Sequence, residues 1–559
     1  MLNVISDYLK RRETRARRRK VRETVAAELD AEFYRSRYPD IVANDVDPVA
    51  HYVRAGAREG RDPTAEFSTK FYAEANADVR KSGVNPFYHY ITHGRAEGRP
   101  PREMHPANPD FMKLCKALGA APEEMRQRFE AERADIAGRL AGGALGRMVE
   151  KAAALEPLIH HPSRKGAEPT IPPFNPRHQK GFAAIGALQA AVGHRRFRNV
   201  VALPHVRMSG AARVAGELAS ALGEIDAPEE ILILRTDLSD YQHPEWFPAQ
   251  ATTLDFSAEV AGLSGPERQR LLFSFIRSLG PERVFNCNSR LFWDMFAAYG
   301  RAMSASTSVY AYMFCSDQNA EGHEAGYPVE FFSRCFDDLT GLITDSVSLK
   351  ETLAARFAPP PRQRAKIVSL PTPLADAADP VAAPISSERP CVFWAGRFDR
   401  QKRVDVVFDL ARRMPDVDFR LWGKPVLDGP LRDGAAPENC LLEGVYADFS
   451  DLPMNECDAW LYTAAWDGVP TILLDVAATA TPLVGTVVGG TGEVLREGLS
   501  GRIDDVGDLD GYEAALRAVF ADSAGARARA VELRALILEE RARSRYRSLL
   551  ETHLAETRS

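Results

Sequence analysis

The chain of 559 residues has a formal net charge of −6, with 45% hydrophobic and 26% charged residues. That length admits three or more domains, two of them with large cores, and the charge argues against a general nucleic-acid binder. The seven cysteines are odd in number and scattered, with no Cys-x-x-Cys or Cys/His cluster, which argues against a disulfide framework or a zinc site and fits a reducing compartment. No apolar run reaches the roughly eighteen residues of a membrane span. The first residues lack the apolar core of a signal peptide, so a cytoplasmic location is expected.

Residues 8–22 (YLKRRETRARRRKVR) are densely basic. They read either as a peripheral attachment to anionic lipid on the inner face of the plasma membrane or as a solvated helix. An internal repeat follows. Phe33-Tyr34 recurs 38 positions on as Phe71-Tyr72, and Asp40, Pro48, His51-Tyr52, Gly56 and Glu59-Gly60-Arg61 recur as Asp78, Pro86, His89-Tyr90, Gly94 and Glu97-Gly98-Arg99. Two short helices per copy are predicted, the first with the aromatic pair, the second opened by the proline and ended by the glycine. The repeated His-Tyr reads as a ligand site or, more simply, as packing between units. Two copies are few for a solenoid, so docking on the catalytic body or on a partner is expected. Residues 102–165 have helical spacing, and the proline-rich stretch Pro162–Pro176 predicts an extended linker.

From about Phe197 strands and helices alternate, the pattern of a parallel sheet covered on both faces. Strands are predicted at Asn199–Pro204, Glu230–Leu234, Arg283–Asn288, Ser308–Phe314, Gly341–Ser346 and Lys366–Pro371. The first runs into a loop holding His205, Ser209, Gly210 and Arg213, with Val214, Leu218 and Leu222 on one face of the next helix. Such loops lie beyond the C-terminal strand ends, where α/β sheets bind ligands; a plain structural turn is the alternative. Ser346 is a candidate helix cap, and Asp376–Arg389 is an Ala/Pro-rich connector.

A second sheet is predicted from Cys391, with further strands at Asp418–Trp422, Cys440–Gly444, Ala459–Thr463 and Pro482–Val488. Gly396-Arg397 closes its first strand, and Lys402 lies five residues on, before an amphipathic helix. After Ala459–Thr463 the chain breaks at Asp467-Gly468-Val469-Pro470 and resumes as a helix from Thr471 to Ala478, with Thr471 as the expected cap. A strand, a glycine loop and a helix start bring unpaired amides and the helix dipole to one point, an anion site. The flanking carboxylates Asp467 and Asp475 suit hydroxyls rather than phosphate, and the combination suits a nucleotide sugar.

Asp467-x7-Asp475 followed by Gly489-Gly490-Thr491-Gly492-Glu493 resembles the donor site of retaining GT-B glycosyltransferases of the group 1, family four type. Gly396-Arg397-x4-Lys402 resembles that family's Gly-Arg-x4-Lys, and Ser209-Gly210 with Arg213 its first glycine-rich loop. The tandem units resemble those found beside bacterial polysaccharide glycosyltransferases. Three departures stand out. Both family glutamates are aspartates here, Ser209 replaces a glycine, and Cys315-Ser316-Asp317-Gln318-Asn319 stands where the family often has a histidine, with His323 a little later.

The resemblance implies an α/β GT-B fold: two Rossmann-like parallel-sheet domains facing a cleft, preceded by an all-α repeat module. The divisions are 1–110, 111–180, 181–375, 376–535 and a C-terminal helix at 536–559, with Ala526–Leu554 crossing back onto the first sheet. It implies Arg397, Lys402 and Asp467 as catalytic, the cations holding the diphosphate and Asp467 the sugar. Gly396, Gly423, Gly444, Gly468, Val469, Pro470 and Thr471 would border the donor. Asp475 would take the ribose hydroxyls, and Glu493 would fix the Gly489-Gly490 turn. His205, Ser209, Gly210 and Arg213 would approach from the first domain, with Asp317 or His323 near the reacting sugar. The implied activity is metal-independent retaining transfer, without a cofactor, of a sugar from a nucleotide diphosphate sugar to a bacterial cell-surface glycan or lipid-linked acceptor. A sugar-nucleotide epimerase of the same fold and a degenerate scaffold are the alternatives.

Overall fold

The computed structural model describes residues 16–156, 179–319, 321–374, 389–424 and 436–557. The start of the basic run (8–15), the proline-rich stretch 162–176 and nearly all of the connector 376–389 lie outside the described residues. The chain divides into two compact units, Met1–Ala191 and Val192–Ser559. Among the described residues no helix is long and apolar enough to cross a membrane.

In the first unit the two copies fold alike, but each has three helical segments rather than the two predicted. They are Ala31–Arg37, Pro39–Ala43 and Pro48–His51, then Thr69–Ala75, Ala77–Ser82 and Pro86–His89, each third segment running on as a π-helical turn (Tyr52–Gly56, Tyr90–Gly94) to the predicted terminal glycine. The extra break falls at Tyr38 and Asn76, which leave the helical region (φ −125° and −118°); in the first copy Pro39 then favours a restart. Pro48 and Pro86 open the third segments as expected, capped by Asp47 and Asn85. The histidines pack within their own copy, not between copies as expected. Tyr34 and Tyr72 hydroxyls each lie 3.0 Å from Nδ1 of His51 and His89. A Cβ at Gly56 or Gly94 would overlap those same hydroxyls, which explains the repeated glycine. Between copies, Tyr52 lies 2.8 Å from Thr69 Oγ1 and edge-on to Phe87. Farther along, Gln179–Ala191 packs on Pro109–Leu118 over a core that includes Phe111, Leu114 and Ala183.

The second unit holds two parallel sheets. The first comprises β1 (Asn199–Leu203), β2 (Ile231–Arg235), β3 (Thr252–Asp255), β4 (Arg283–Cys287), β5 (Ser308–Met313), β8 (Gly341–Thr344) and β9 (Ile367–Ser369), in the order β3-β2-β1-β4-β5-β8-β9. A small ribbon, β6 (Asp317–Gln318) and β7 (Glu324–Ala325), interrupts the connection from β5 to β8. The second sheet comprises β10 (Cys391–Ala395), β11 (Asp418–Trp422), β12 (Cys440–Gly444), β13 (Ala459–Tyr462), β14 (Leu483–Thr486) and β15 (Gly501–Ile503), in the order β12-β11-β10-β13-β14-β15. This is the expected pair of Rossmann-like sheets. Sequence reading missed β3 and β15, short edge strands without a continuous apolar run.

The crossing back to the first sheet is made by Arg543–Glu556 alone. Helix Ser523–Glu540, expected to take part, instead places Leu533 and Ile537 in the core of the second sheet. The crossing helix lies against Gly210–Ile225, burying Tyr546, Leu550 and Leu554 with Val201 and Ile233. Its polar anchors are the Tyr312–Tyr546 hydroxyl pair at 3.3 Å, Tyr310 with Thr557 at 2.7 Å, and the Arg547–Glu224 ion pair at 2.9 Å.

Candidate active site

The two sheets present the C-terminal ends of their strands to one cleft of about 2000 Å³, larger than the usual small-molecule pocket. Its second-domain wall begins at Gly396 and Gly423. Gly423 has φ +150° and leaves no space for a side chain, because a Cβ would overlap the Gly396 carbonyl. The two strand ends therefore close up, and Arg397 and Lys402 emerge beside them into the cleft. Arg397 is half exposed, held by Gln401 and by Asp399 at 3.2 Å. Lys402 reaches deeper, donating to the Tyr462 hydroxyl at 2.9 Å and pairing with the Asp467 carboxylate, to which Tyr462 also donates. One cation and one carboxylate thus meet at the floor, tied from beneath by a buried phenol.

The Asp467–Pro470 loop is gripped from two sides. Behind it, Gly489 sits at φ +53° with no space for a Cβ beside the Asp467 carbonyl, and Gly490 donates to that carbonyl at 3.3 Å. From the first domain, Asp345 accepts the Val469 N–H at 3.0 Å, and only glycine fits at 468 against its carboxylate. Asp345 is buried, its Oδ1 makes no hydrogen bond, and burial together with the nearby Asp467 and Glu493 charges raises its pKa to about 7. Thr471 is not the cap that the sequence predicts. Pro470 occupies the cap position and offers no side-chain partner, so the first amides of Thr471–Ala478 lack one within the helix and border the cleft.

On the opposite wall Ser209 caps Gly210–Ile225 by accepting the Ala212 N–H at 3.2 Å, and Gly210 packs close to Thr471. Arg213 crosses the cleft to Asp475 at 2.6 Å. Burial raises the Asp475 carboxyl above the usual range, and the guanidinium opposes that shift. In this conformation Asp475 therefore faces Arg213 rather than open space. His205 lines the same wall, with Nδ1 buried and unpartnered and its pKa lowered by burial. Asp317 accepts from the Trp466 indole at 3.2 Å. Cys315 places Sγ 3.9 Å from Asp467, and burial pushes its thiol well up.

Five sequence candidates fall away from the cleft. His323 is exposed on the β6–β7 turn, because that turn points its tip to solvent. Gly444 ends an exposed edge strand. Glu493 accepts the Val347 N–H at 2.7 Å and pairs with Arg541 at 3.2 Å, so its carboxylate ties the domains together instead of fixing the glycine turn. Gly489 and Gly490 line a smaller neighbouring cavity. Sequence reading missed Tyr462 and Asp345 as site residues. Tyr462 was hidden in an apolar strand. Asp345 directly follows β8, and its place carried a signal that was read only for the neighbouring Ser346, which does cap the next helix.

No family model and no curated protein matches the chain. Among solved structures, HepE of Anabaena, in complex with UDP and glucose, aligns with a TM-score of 0.50 at 11% identity, covering 64% of this chain and 99% of that one. The fold is GT-B. A glycosyltransferase from Rickettsia africae aligns at TM-score 0.48 and 11% identity, covering 64% and 98%. TarM of S. aureus, in a mutant complex with fondaparinux, α-GlcNAc-glycerol and UDP, aligns at TM-score 0.44 and 12% identity over 52% of this chain. This chain spans 59% of the TarM chain.

Proposed function

We propose that the protein is a glycosyltransferase that moves a sugar, with retention, from a nucleotide diphosphate sugar to a hydroxyl of a bacterial cell-surface glycan or lipid-linked acceptor. The observation that carries this reading is the meeting of Lys402 and Asp467 on the cleft floor, both bonded to the buried Tyr462 hydroxyl, beside Arg397 and a helix start with no side-chain cap. Transfer breaks the bond between the anomeric carbon and the diphosphate. The charge that develops on the leaving oxygen needs fixed cations and amides, which Arg397, Lys402 and the first turn at Thr471 supply. Asp467 then holds sugar hydroxyls, and Asp475, once released by Arg213, the ribose. The acceptor oxygen bonds to the anomeric carbon, and its proton goes to the departing phosphate oxygen, so no separate protein base is required. HepE binds UDP and glucose on the same fold, which supports a nucleotide sugar as donor.

The test is a thermal-shift screen against UDP, GDP, ADP and dTDP sugars, followed by incubation with the best donor alone. A ligand at about 100 times its Kd adds roughly 2.7 kcal/mol of stability, so one nucleotide class should raise Tm by several degrees. Slow release of free sugar and nucleotide diphosphate without acceptor is expected. A new sugar isomer would point to epimerisation, and no shift with any nucleotide would point to a scaffold.

A further inference from the structure

The β6–β7 ribbon is too short to hold its own place. Each strand has two residues, paired Asp317 with Ala325 and Gln318 with Glu324, and a two-stranded ribbon of this length is at best marginally stable alone. Its position is set by ties to other elements. One tie stays within the first domain, where Glu324 pairs with Arg356. Two others cross to the second domain. Arg400 donates to the carbonyls of Asn319 at 3.1 Å and Gln318 at 3.4 Å, and the Trp466 indole N–H donates to Asp317 at 3.2 Å. Arg400 belongs to the loop after β10 that carries Arg397 and Lys402, and Trp466 directly precedes Asp467 on the loop after β13. The ribbon is thus bonded to both second-domain loops whose charges meet on the cleft floor.

This seam separates two spaces. The smaller cavity, of about 310 Å³, shares Cys315, Ser316, Asp317, Trp466, Asp467 and Gly468 with the main cleft. Residues common to both linings form the wall between them, a single layer thick. On the outer side the exposed Gln318, Glu324 and Thr352 border the smaller cavity, so it communicates with solvent. On the inner side lies the Asp467 carboxylate paired with Lys402. Across its middle the wall is joined by the Trp466–Asp317 bond and by Cys315 Sγ, 3.9 Å from Asp467.

We propose, resting on the glycosyltransferase reading above, that Arg400 is a positioning residue. It keeps the ribbon seated against the Asp467 loop and so closes the short route by which water would reach the anomeric carbon of a bound donor. Water on that carbon reacts as an acceptor hydroxyl does. Its oxygen bonds to the anomeric carbon, and the bond to the diphosphate breaks with its electron pair going to the leaving oxygen. The water proton passes to that phosphate oxygen, which gives free sugar and nucleotide diphosphate. The cations and amides that stabilise the leaving group act equally for water and for an acceptor, so exclusion of water has to come from the wall. Arg400 does not line the cleft itself. Its guanidinium meets main-chain carbonyls of the ribbon, so its effect on the site runs through the ribbon rather than through a contact with phosphate.

The test uses the full chain with UDP-glucose, UDP-N-acetylglucosamine, GDP-mannose, ADP-glucose and dTDP-glucose, each without acceptor. Chromatography reads the nucleotide diphosphate released, and the Tm shift is read on the same samples. With the donor that raises Tm most, Arg400→Met should release nucleotide diphosphate at least about fivefold faster than the wild type. Its Kd for the matching nucleotide diphosphate should stay within about threefold. Hydrogen exchange across Asp317–Gln318 and Glu324–Ala325 should quicken in the same variant. Arg400 is exposed, so its replacement should leave folding intact. Should it not, Trp466→Phe, which keeps the ring and removes the N–H tie, carries the same expectations. Release no faster than in the wild type, or unchanged exchange in the ribbon, would overturn the proposal. So would a Kd weakened beyond threefold in Arg400→Met, which would make Arg400 a diphosphate ligand. The Tm shift separates the two readings: its absence in the wild type indicts the donor reading, whereas its persistence with unchanged release indicts the role given to Arg400.

Discussion

At the residue scale the cleft is dominated by charges that hold one another. Lys402 pairs with Asp467 and Arg213 with Asp475, so under the proposed function a donor replaces these pairings with phosphate and hydroxyl contacts. Removing one partner of such a shielded pair leaves the other uncompensated. Lys402→Met should lower kcat by about 10²–10³-fold, the range for loss of one preorganised charge-stabilising group, measured as nucleotide diphosphate release. Asp345 gives a pH prediction. Its pKa is raised from 3.8 to about 7 in the fold, so the native state holds a proton that the unfolded chain has lost. The stability it contributes is fully present below pH 4 and disappears as pH rises through about 7. Denaturant titrations between pH 5 and 8 should show that decline, on the order of a few kcal/mol, and Asp345→Asn should flatten it. An unchanged slope in Asp345→Asn would remove Asp345 as its source.

At the element scale the glycines set the geometry, and here the sequence was legible in type more than in detail. Gly-Arg-x4-Lys, the 467–475 spacing and the Gly489-Gly490 pair are local patterns, so strand ends and loop positions follow from chain order alone. What touches what across the cleft did not follow. Glu493 reads locally as a turn-fixing acid, yet its partners, Val347 and Arg541, lie about 146 and 48 positions away. Asp345 likewise meets Val469 across 124 positions. The repeat is the converse case, because its Tyr–His–Gly contact lies within one copy and recurs at a fixed offset. Gly94→Ala should destabilise the first unit by ~2 kcal/mol through overlap with the Tyr72 hydroxyl. Tyr72→Phe in the same chain should restore part of that loss, since it removes the overlapping atom; calorimetry of the single and double variants checks the coupling.

At the scale of the whole molecule, the two sheets of the second unit were legible because parallel strands read as continuous apolar runs. The short edge strands β3 and β15 and the true start of the crossing helix were not, since tertiary packing decides them. The two domains of that unit are joined by buried polar ties. Arg541 donates to the Thr372 carbonyl at 3.2 Å and pairs with Glu493, while Asp345 holds the Asp467–Pro470 loop. Arg541→Met should therefore raise protease susceptibility at the domain junction and lower Tm by several degrees, consistent with loss of a buried, hydrogen-bonded cation.

The central claim is that Arg397, Lys402 and the helix start at Thr471 converge on one diphosphate. Isothermal titration calorimetry of the wild type, Arg397→Ala and Lys402→Met with UDP, GDP, ADP and dTDP tests it most directly. The account predicts one-to-one binding of one of these by the wild type and at least tenfold weaker binding in each variant. Binding of none of the four by the wild type, or equal affinity in all three proteins, would contradict it.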